Sequence, residues 1–476
     1  MAKNMTILTF QDWLECGNDE QKKADFILRA INTHKRSDEY KTAVMAQAYY
    51  NGENPTIMNY EKIIYDMKGL AHIDMWSANH KIASQFFNFT VNQEVAYLLG
   101  NGIRFGKDET KKQLGKIFDV RVLKAALYAR TAGQSFGFWN MDHIDVFKFT
   151  EFVPIKDEET GEIKLGIRWW KLADNKPLRV TLYELDGYTE YIRRQQKKLE
   201  IMQEKRAYKL NVSRTEAEGE TIAEGENYDG FPIVPMYANE AHKSAINGKR
   251  NTVDALDLVT SNMVNNCDEG NLIYWVLTNC GGMDDLDDAK FIEQLKTTHV
   301  THADGDAGAK AEAHTVDAPI DGDAVAIDKL EARLYKDFQA FNPDSVTASN
   351  QSATAIRAAY VPLDLKCDIE LEPQVSEFVL GILKLAGIDD QPSYQRNRLI
   401  NETEETQKII MQAEYFDEEY VREKLLTING DIDMLEEINK RMDAENATRL
   451  KEAERRLREL EKSNSDNEGE DENGEE

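Results

Sequence analysis

Three histidines and two aspartates, His299, His302, His314, Asp304 and Asp306, crowd one short stretch and are by residue type the best candidates to hold a metal. Coordination needs ligands fixed by a helix or a tight turn, and the flanking sequence here is rich in Gly and Ala, which fixes nothing. The string DGDAGAK at 304–310 also departs from a calcium loop, because the third acidic ligand, the glycine and the terminal glutamate are out of place. Asp284, Asp285, Asp287 and Asp288 read more simply as the acidic start of a helix, where the helix dipole favours negative charge. No G-x-x-x-x-G-K-[ST] loop is present, so phosphate handling by a P-loop motor is excluded, and neither G-x-S-x-G nor a Cys/His nucleophile context occurs. Cys16, Cys267, Cys280 and Cys367 lie far apart, without a C-x-x-C pair, and read as free thiols. The sequence therefore advertises no catalytic residue, no metal site and no cofactor.

Charge narrows the classes further. With 58 Lys and Arg against 86 Asp and Glu, the net charge is -28, unsuited to a protein that grips phosphates through clustered cations. Acidity does not exclude DNA contact of another kind: a conduit that lets a duplex slide is better served by walls that repel phosphate than by fixed cations that add drag. A chain of 476 residues can bury several cores, about three or four units at the usual domain size. No apolar run approaches the roughly 20 residues needed to span a bilayer. The start, MAKNMTILTFQDW, lacks the layout of a secretory signal, so the expectation is a chain made in the cytosol without a membrane partner.

The elements follow from periodicity. Residues 7–33 have helical character, and the periodic run after them stops at Asn51-Gly52. From Asn79 to Gly100, Ile82, Phe86, Phe87, Val91, Val95 and Leu98 recur at helical spacing, predicting a helix that ends at a Gly cap. Between about Val120 and Arg179 a helix with KAALYARTAG is followed by short runs rich in Phe, Trp, Val and Ile that predict strands, and VTLYELDGYTEYIRR repeats the pattern, with hairpin turns at DEETGEI and at Asp186-Gly187. A mobile acidic stretch is expected near Glu216–Asp229. Helix is predicted over Thr252–Val276, with Leu256, Val259, Met263 and Val264 on one side, and over Asp323–Phe341, with Leu330, Leu334 and Phe338. Between them lie a short helix LDDAKFIEQL, a strand HVTHA, the turn DGDAGAKAEA and a strand HTVDAPI. Helix resumes from Ser352 with a bend at Pro362, and residues 401–462 read as almost wholly helical. The fold class is α+β, mainly helical.

In this order the chain resembles the portal proteins of long-tailed, siphophage-type phages of Gram-positive bacteria, over most of residues 28–441. Five stretches carry the resemblance: YKTAVMAQAYYNGENPTIM, NFTVNQEVAYLLGNGIRF, FPIVPMYANEAHKSAINGKRNTVDALDLVTSNMVNN, SATAIRAAYVPLDLKC and YQRNRLINETEETQKIIMQAEYFDEEYVREKL. Each alone is weak, and their order and span make the signal specific.

The resemblance implies a ring of about twelve subunits around an axial channel at one capsid vertex. It divides the chain into an N-terminal segment with an α/β wing (1–250), a first stem helix (251–276), a clip (277–321) and a second stem helix (322–341). A tunnel loop (342–352), a tunnel helix (353–370) and a helical crown (371–462) come after these, and residues 463–476 are expected as a disordered acidic tail. The implied partners are the terminase large subunit, a neck or head-completion adaptor, scaffold and major capsid protein, and double-stranded DNA in sliding contact. The implied location is the virion, with the host cytoplasm during assembly.

The implied channel residues are those of the loop, Asn342, Asp344, Ser345, Thr347, Ser349, Asn350, Gln351 and Ser352, whose small polar side chains suit a sliding contact; composition alone favours an ordinary surface loop, and the position in the family order reverses that preference. Arg357, on the Ala-rich helix AIRAAY, would form a belt of positive charge in a ring or an intersubunit ion pair. Lys329, Arg333 and Lys336 form a stripe open to the same two readings. Rival readings are an enzyme fused to a structural domain and a helical scaffold acting as monomer or dimer.

Overall fold

The structure is a computed structural model that describes residues 7–65, 68–75, 77–195, 197–214, 221–270, 273–278, 310–315, 320–345, 353–397, 402–431 and 434–468. Contacts divide it into two compact units, one of residues up to Pro343 with Ala359–Asn397, the other of Asp344–Ala358 with the chain after Asn397.

The first unit opens with helices α1 (Phe10–Leu14), α2 (Glu20–Arg36), α3 (Asp38–Tyr50) and α4 (Pro55–Met58). The helical character expected over 7–33 is thus interrupted after Leu14. Asp19 caps α2 by accepting from the amides of Gln21 and Lys22 at 2.9 and 3.2 Å, and Ser37 ends α2 while its hydroxyl accepts from the Tyr40 amide at 3.1 Å to start α3. The stop at Asn51-Gly52 falls where the turn chemistry places it. Next come a small hairpin of β1 (Ile63–Tyr65) and β2 (Ala71–Ile73), then α5 (Phe86–Leu99), β3 (Ile103–Phe105), α6 (Asp108–Leu114) and α7 (Phe118–Ala132).

Strands then dominate the chain as far as Tyr237: β4 (Gln134–Trp139), β5 (Ile144–Lys148), β6 (Phe152–Lys156), β7 (Ile163–Trp170), β8 (Leu178–Glu184), β9 (Gly187–Arg193), β10 (Glu200–Arg206), β11 (Lys209–Arg214), β12 (Thr221–Glu226) and β13 (Ile233–Tyr237). β6 to β10 form an antiparallel meander in sequence order, and β13-β4-β5 form a second sheet. Both expected hairpin turns are present. Gly187 sits at φ 143° where a Cβ would stand 2.3 Å from the Arg206 carbonyl oxygen, so only glycine fits that turn. Alternation on β8 turns Val180 and Leu182 inward onto Phe26, Ile27 and Ile31 of α2, each burial contributing about 1.5–3 kcal/mol. The acidic stretch expected as mobile is in part the strand β12, paired with β11 from Lys209↔Glu226 to Arg214↔Thr221.

Helix α8 (Arg250–Gly270) is followed by β14 (Ile273–Thr278), β15 (Lys310–Thr315) and α9 (Ile320–Asp337). The two helices are antiparallel: Val253 and Leu256 share a core with Leu334 and Phe338 at one end, and Asn266 bonds Asp323 at 3.2 Å at the other. The helix expected over Thr252–Val276 stops at Gly270 because IYWVLT, β-branched and aromatic, pairs as a strand with β15. β15 likewise takes over the end of DGDAGAKAEA, expected as a turn, and places His314 opposite Tyr274. The second helix ends at Asp337 rather than Phe341, with Gln339 at φ 51°. LDDAKFIEQL, HVTHA and Cys280 lie outside the described residues.

From Ala353 the chain is helical to Ala386: α10 (Ala353–Lys366), a π turn at Cys367–Leu371, and α11 (Glu372–Ala386), with Pro362 inside α10. α11 packs on β4 and β13 of the first unit, so the boundary drawn at 371 falls inside a packed helical run. β16 (Pro392–Tyr394) pairs with β3. The second unit contains α12 (Glu402–Gln412), α13 (Glu418–Asn429) and α14 (Leu435–Glu468). Asp417 caps α13 on the Tyr420 amide at 2.7 Å, and Gly430 ends it at φ 78°. α14 runs past 462 to Glu468, into the segment expected to be disordered, because extending an existing helix needs no new nucleus.

One helix start corrects the reading of the apolar pattern. α5 begins at Phe86, and residues 79–85 instead run beside α8 without regular structure. The amides of His80, Ile82 and Ser84 donate to Asn265 Oδ1 (2.6 Å), Ser261 Oγ (3.0 Å) and Asp257 Oδ1 (3.0 Å), three buried side chains four residues apart on α8. Asn54 Nδ2 donates to the other Asp257 oxygen at 2.8 Å. The expected Gly cap is also displaced: Gly100 has helical φ, and the left-handed residue is Gly102 at φ 74°. Replacing Asp257 with Ala orphans the Ser84 amide and leaves Asn54 Nδ2 with Asp254 Oδ1, at 3.0 Å, in place of its two acceptors. Urea unfolding of Asp257→Ala is expected to show a loss of about 1–3 kcal/mol; an unchanged midpoint would mean these bonds contribute nothing net.

Candidate functional site

The site is where α5 holds the two parts of the first unit that flank residues 342–352 in sequence, Phe341 and the portion of α10 from Ala359 on. After α9, Phe341 is gripped by the Gln93 side chain of α5, its amide donating to Oε1 at 2.9 Å and its carbonyl accepting from Nε2 at 2.8 Å. Its ring stacks on Tyr360 of α10, centroids 4.1 Å apart, and Tyr360 stacks on Tyr97 of α5 at 5.5 Å. The outgoing and returning strokes of the chain are thus fixed to one helix by three rings and one amide.

Beneath the rings lies a buried charge cluster. Glu94 of α5 meets Arg130 of α7 at 2.7 Å and Lys366 of α10 at 2.8 Å. Arg130 also reaches Glu370 in the π turn at 3.1 Å and donates to the Ala238 carbonyl at 2.5 Å, while Lys366 donates to the Phe338 carbonyl at 2.8 Å. Burial alone would raise the Glu94 carboxyl, but the Arg130 and Lys366 charges outweigh it and hold the pKa below the ordinary glutamate value. Burial likewise opposes the Arg130 charge, and Glu94 and Glu370 overcome it, raising its pKa. Lys249, whose ammonium sits 5.0 Å from the centre of the Phe338 ring, fares differently: burial lowers its pKa and the Lys366 and Arg130 charges push the same way. Its ammonium donates to the Ala245 carbonyl at 3.0 Å.

Lys329, Arg333 and Lys336 share one exposed face of α9, opposite Leu330, Leu334 and Phe338, and Arg333 pairs with Asp337 at 3.4 Å. Asn342 is half-buried, and Asp344 and Ser345 belong to a 3-10 turn, Pro343–Ser345, with Asp344 exposed. Thr347, Ser349, Asn350, Gln351 and Ser352 lie outside the described residues. Arg357 is exposed on the part of α10 that belongs to the second unit. Gln93, Glu94, Arg130 and Lys366 were missed. The available signal was a charge standing at a helical position among apolar neighbours, as Lys366 does in LDLKC and Arg130 in LYARTA. Among the described residues, no group of three or more His, Cys, Asp or Glu is placed to hold a metal, and no helix is long and apolar enough to cross a membrane.

Comparison with known proteins assigns the class. Residues 30–448 match the family model "Phage portal protein, SPP1 Gp6-like". This is a phage portal protein; the chain belongs to the SPP1 Gp6-like portal family. It is similar to the portal protein of Clostridium phage phiCD119, 22% identical over 358 residues, covering 69% of this chain and 77% of the relative. It is also similar to the portal protein of Bacillus phage SPP1, 23% identical over 341 residues, covering 67% of this chain and 65% of the relative. Among solved structures, a chain of the neck of a native GTA particle, computed with C12 symmetry, matches at 10% identity and a TM-score of 0.39, over 71% of this chain and 89% of that one. At that score the likeness carries no argument.

Two outcomes test the cluster. Glu94→Ala leaves Arg130 and Lys366 buried beside no carboxylate, and is expected to cost about 3–5 kcal/mol in urea unfolding. Because the folded pKa of Glu94 is depressed, its contribution is present above the ordinary glutamate pKa and is lost as pH falls through the folded value. Stability measured against pH should therefore decline over that acid window in the parent protein and more shallowly in Glu94→Gln.

Proposed function

We propose that the chain is one subunit of a ring of about twelve, set at a capsid vertex, through which the phage genome is packaged and ejected. The observation that carries this reading is the family match over residues 30–448. In the detailed version, the α/β body up to about residue 250 is the wing, and α8 and α9 are the stem. The segment between them, with β14 and β15, is the clip that docks the terminase motor and later the neck adaptor. Residues 342–352 are the tunnel loop, residues 353–370 the tunnel helix, and the helices of residues 371–462 the crown. Scaffold and major capsid protein are the other expected partners, the location is the virion after assembly in the host cytoplasm, and the role is structural rather than enzymatic.

Physical features support the reading without depending on it. The antiparallel pair α8–α9 covers its own core at one end only. Further along, Val259, Met263 and Val264 are only half-buried, and Val325 is 51% exposed. A neighbouring subunit would cover them, as closed rings require of a heterologous interface. Lys329, Arg333 and Lys336, repeated around a ring, would make a cationic band in an acidic conduit. Such a band contacts phosphate without the many fixed cations that would stop a duplex.

Electron microscopy of the purified protein tests the ring: end-on views with about twelvefold symmetry and a central hole are expected, and only monomers or dimers across salt and concentration would sink it. Hydrogen exchange should then show α8 and α9 amides better protected in the ring than in any dissociated subunit. The Lys329→Glu, Arg333→Glu, Lys336→Glu variant is expected to form rings normally yet to protect several-fold less DNA from nuclease in an in vitro packaging reaction. Undiminished protection would remove these residues from the channel wall.

A further inference from the structure

In a chain of net charge -28, one surface of the first unit is cationic. An open cleft of about 1210 Å³ lies between the last turn of α2, the β7–β8 loop and the β9–β10 loop. Lys35, Lys171, Lys176, Arg193, Arg194 and Lys197 line it, against only two acids, Glu151 and Asp174. Among the described residues Arg194 has a carboxylate partner, Glu200 at 3.9 Å, and the other five cations have none. Lys35 registers the surplus: burial lowers its pKa, the Lys171 charge lowers it further, and no carboxylate offsets either.

The loops that carry these cations are closed by their own bonds. Arg193 Nε donates to the Lys197 carbonyl at 2.8 Å, the Lys197 amide to the Arg194 carbonyl at 2.9 Å, and the Lys176 amide to the Ala173 carbonyl at 3.0 Å. Unpaired positive charge held on ordered turns is a preformed anion site, because little ordering remains to be done on binding. Its volume exceeds the roughly 300–1,000 Å³ of small-ligand pockets, which favours a segment of polymer. Two acidic polymers qualify, and the aromatic residues separate them. Single-stranded nucleic acid is held by successive rings with free faces. Here Trp169 is only 6% exposed, with Lys35 over it at 5.7 Å, and Trp170, 40% exposed, carries Arg179 at 5.7 Å. One exposed ring already paired with a cation is no row of stacking faces, whereas six cations line the cleft.

We propose that this cleft docks an acidic peptide segment, rich in Asp and Glu, of a partner protein. The carboxylates meet the exposed Lys35, Lys171, Lys176 and Lys197 and the half-buried Arg193. The assignment is independent of the channel reading, since it concerns the meander sheet and α2 alone.

The test is fluorescence anisotropy of a fluorescein-labelled peptide of alternating Glu and Gly, titrated with the full-length protein at low and physiological salt. Saturable binding that weakens with salt is expected. The variant Lys171→Glu, Lys176→Glu, Lys197→Glu should lose at least about tenfold in affinity, because charge pairing is the recognition. A charge-matched control, Lys41→Glu, Lys112→Glu, Lys384→Glu, should stay within about twofold of the parent. All six lysines are exposed, so neither variant is expected to disturb the core, and circular dichroism checks this. Equal loss in both variants, or no binding at low salt, overturns the proposal. So does an oligo-dT of matched charge that binds more tightly than the peptide and loses that affinity in the cleft variant.

Discussion

The fold of the first unit depends on burying charge in its interior. Glu94, Arg130 and Lys366 are each at most 5% exposed, and ions so placed cost several kcal/mol apiece unless every partner is in position. The partners come from α5, α7, α10 and the π turn, together with carbonyls at the ends of α9 and β13. None of these elements can settle without the others, which makes their assembly cooperative in a way that interchangeable apolar contacts do not. The end of α9 is part of this arrangement: the Lys366 ammonium that satisfies the Phe338 carbonyl there belongs to the returning chain, 28 residues further along the sequence.

The same cluster involves an irregular turn in the helical run from Ala353 to Ala386. A π turn at Cys367–Leu371 directly follows Lys366 and is followed by Pro373 in the first turn of α11. A proline there lacks the amide that would bond the carbonyl four residues back, which lies inside the π turn. Within that turn Glu370 reaches Arg130, while Cys367 and Leu371 are buried and burial pushes the Cys367 thiol up to about 12. The irregularity therefore delivers an acid to the cluster and two apolar side chains to the core.

What the sequence made legible was apolar periodicity and turn chemistry. Leu334 and Phe338, Asn51-Gly52, the Asp186-Gly187 hairpin and the meander strands all follow from local rules. The failures share a cause. Asp257, Ser261 and Asn265 look like the solvent face of α8 and are instead buried, because their partners are backbone amides 173–185 residues away. Residues 79–85 carry a helical pattern that continues into α5, yet their amides are taken by that stripe. Ile273–Thr278 continues a helical run in pattern, and only its pairing with β15 makes it a strand. Glu94, Arg130 and Lys366 were invisible as a group because no spacing rule joins three helices. In each case a long-range bond overrode a local preference.

The stripe on α8 has a mechanical consequence. Its three acceptors recur every four residues, about 6 Å along a helix, while alternate amides of an extended chain recur about 6.6 Å apart. The two spacings mesh like a rack and its teeth. A slip of one residue points every amide away from its acceptor, whereas a slip of two would seat most of them again. Movement of α8 past the segment at 80–84 is thus a matter of notches rather than of smooth travel, and the joint rests in one seat until all three bonds let go together.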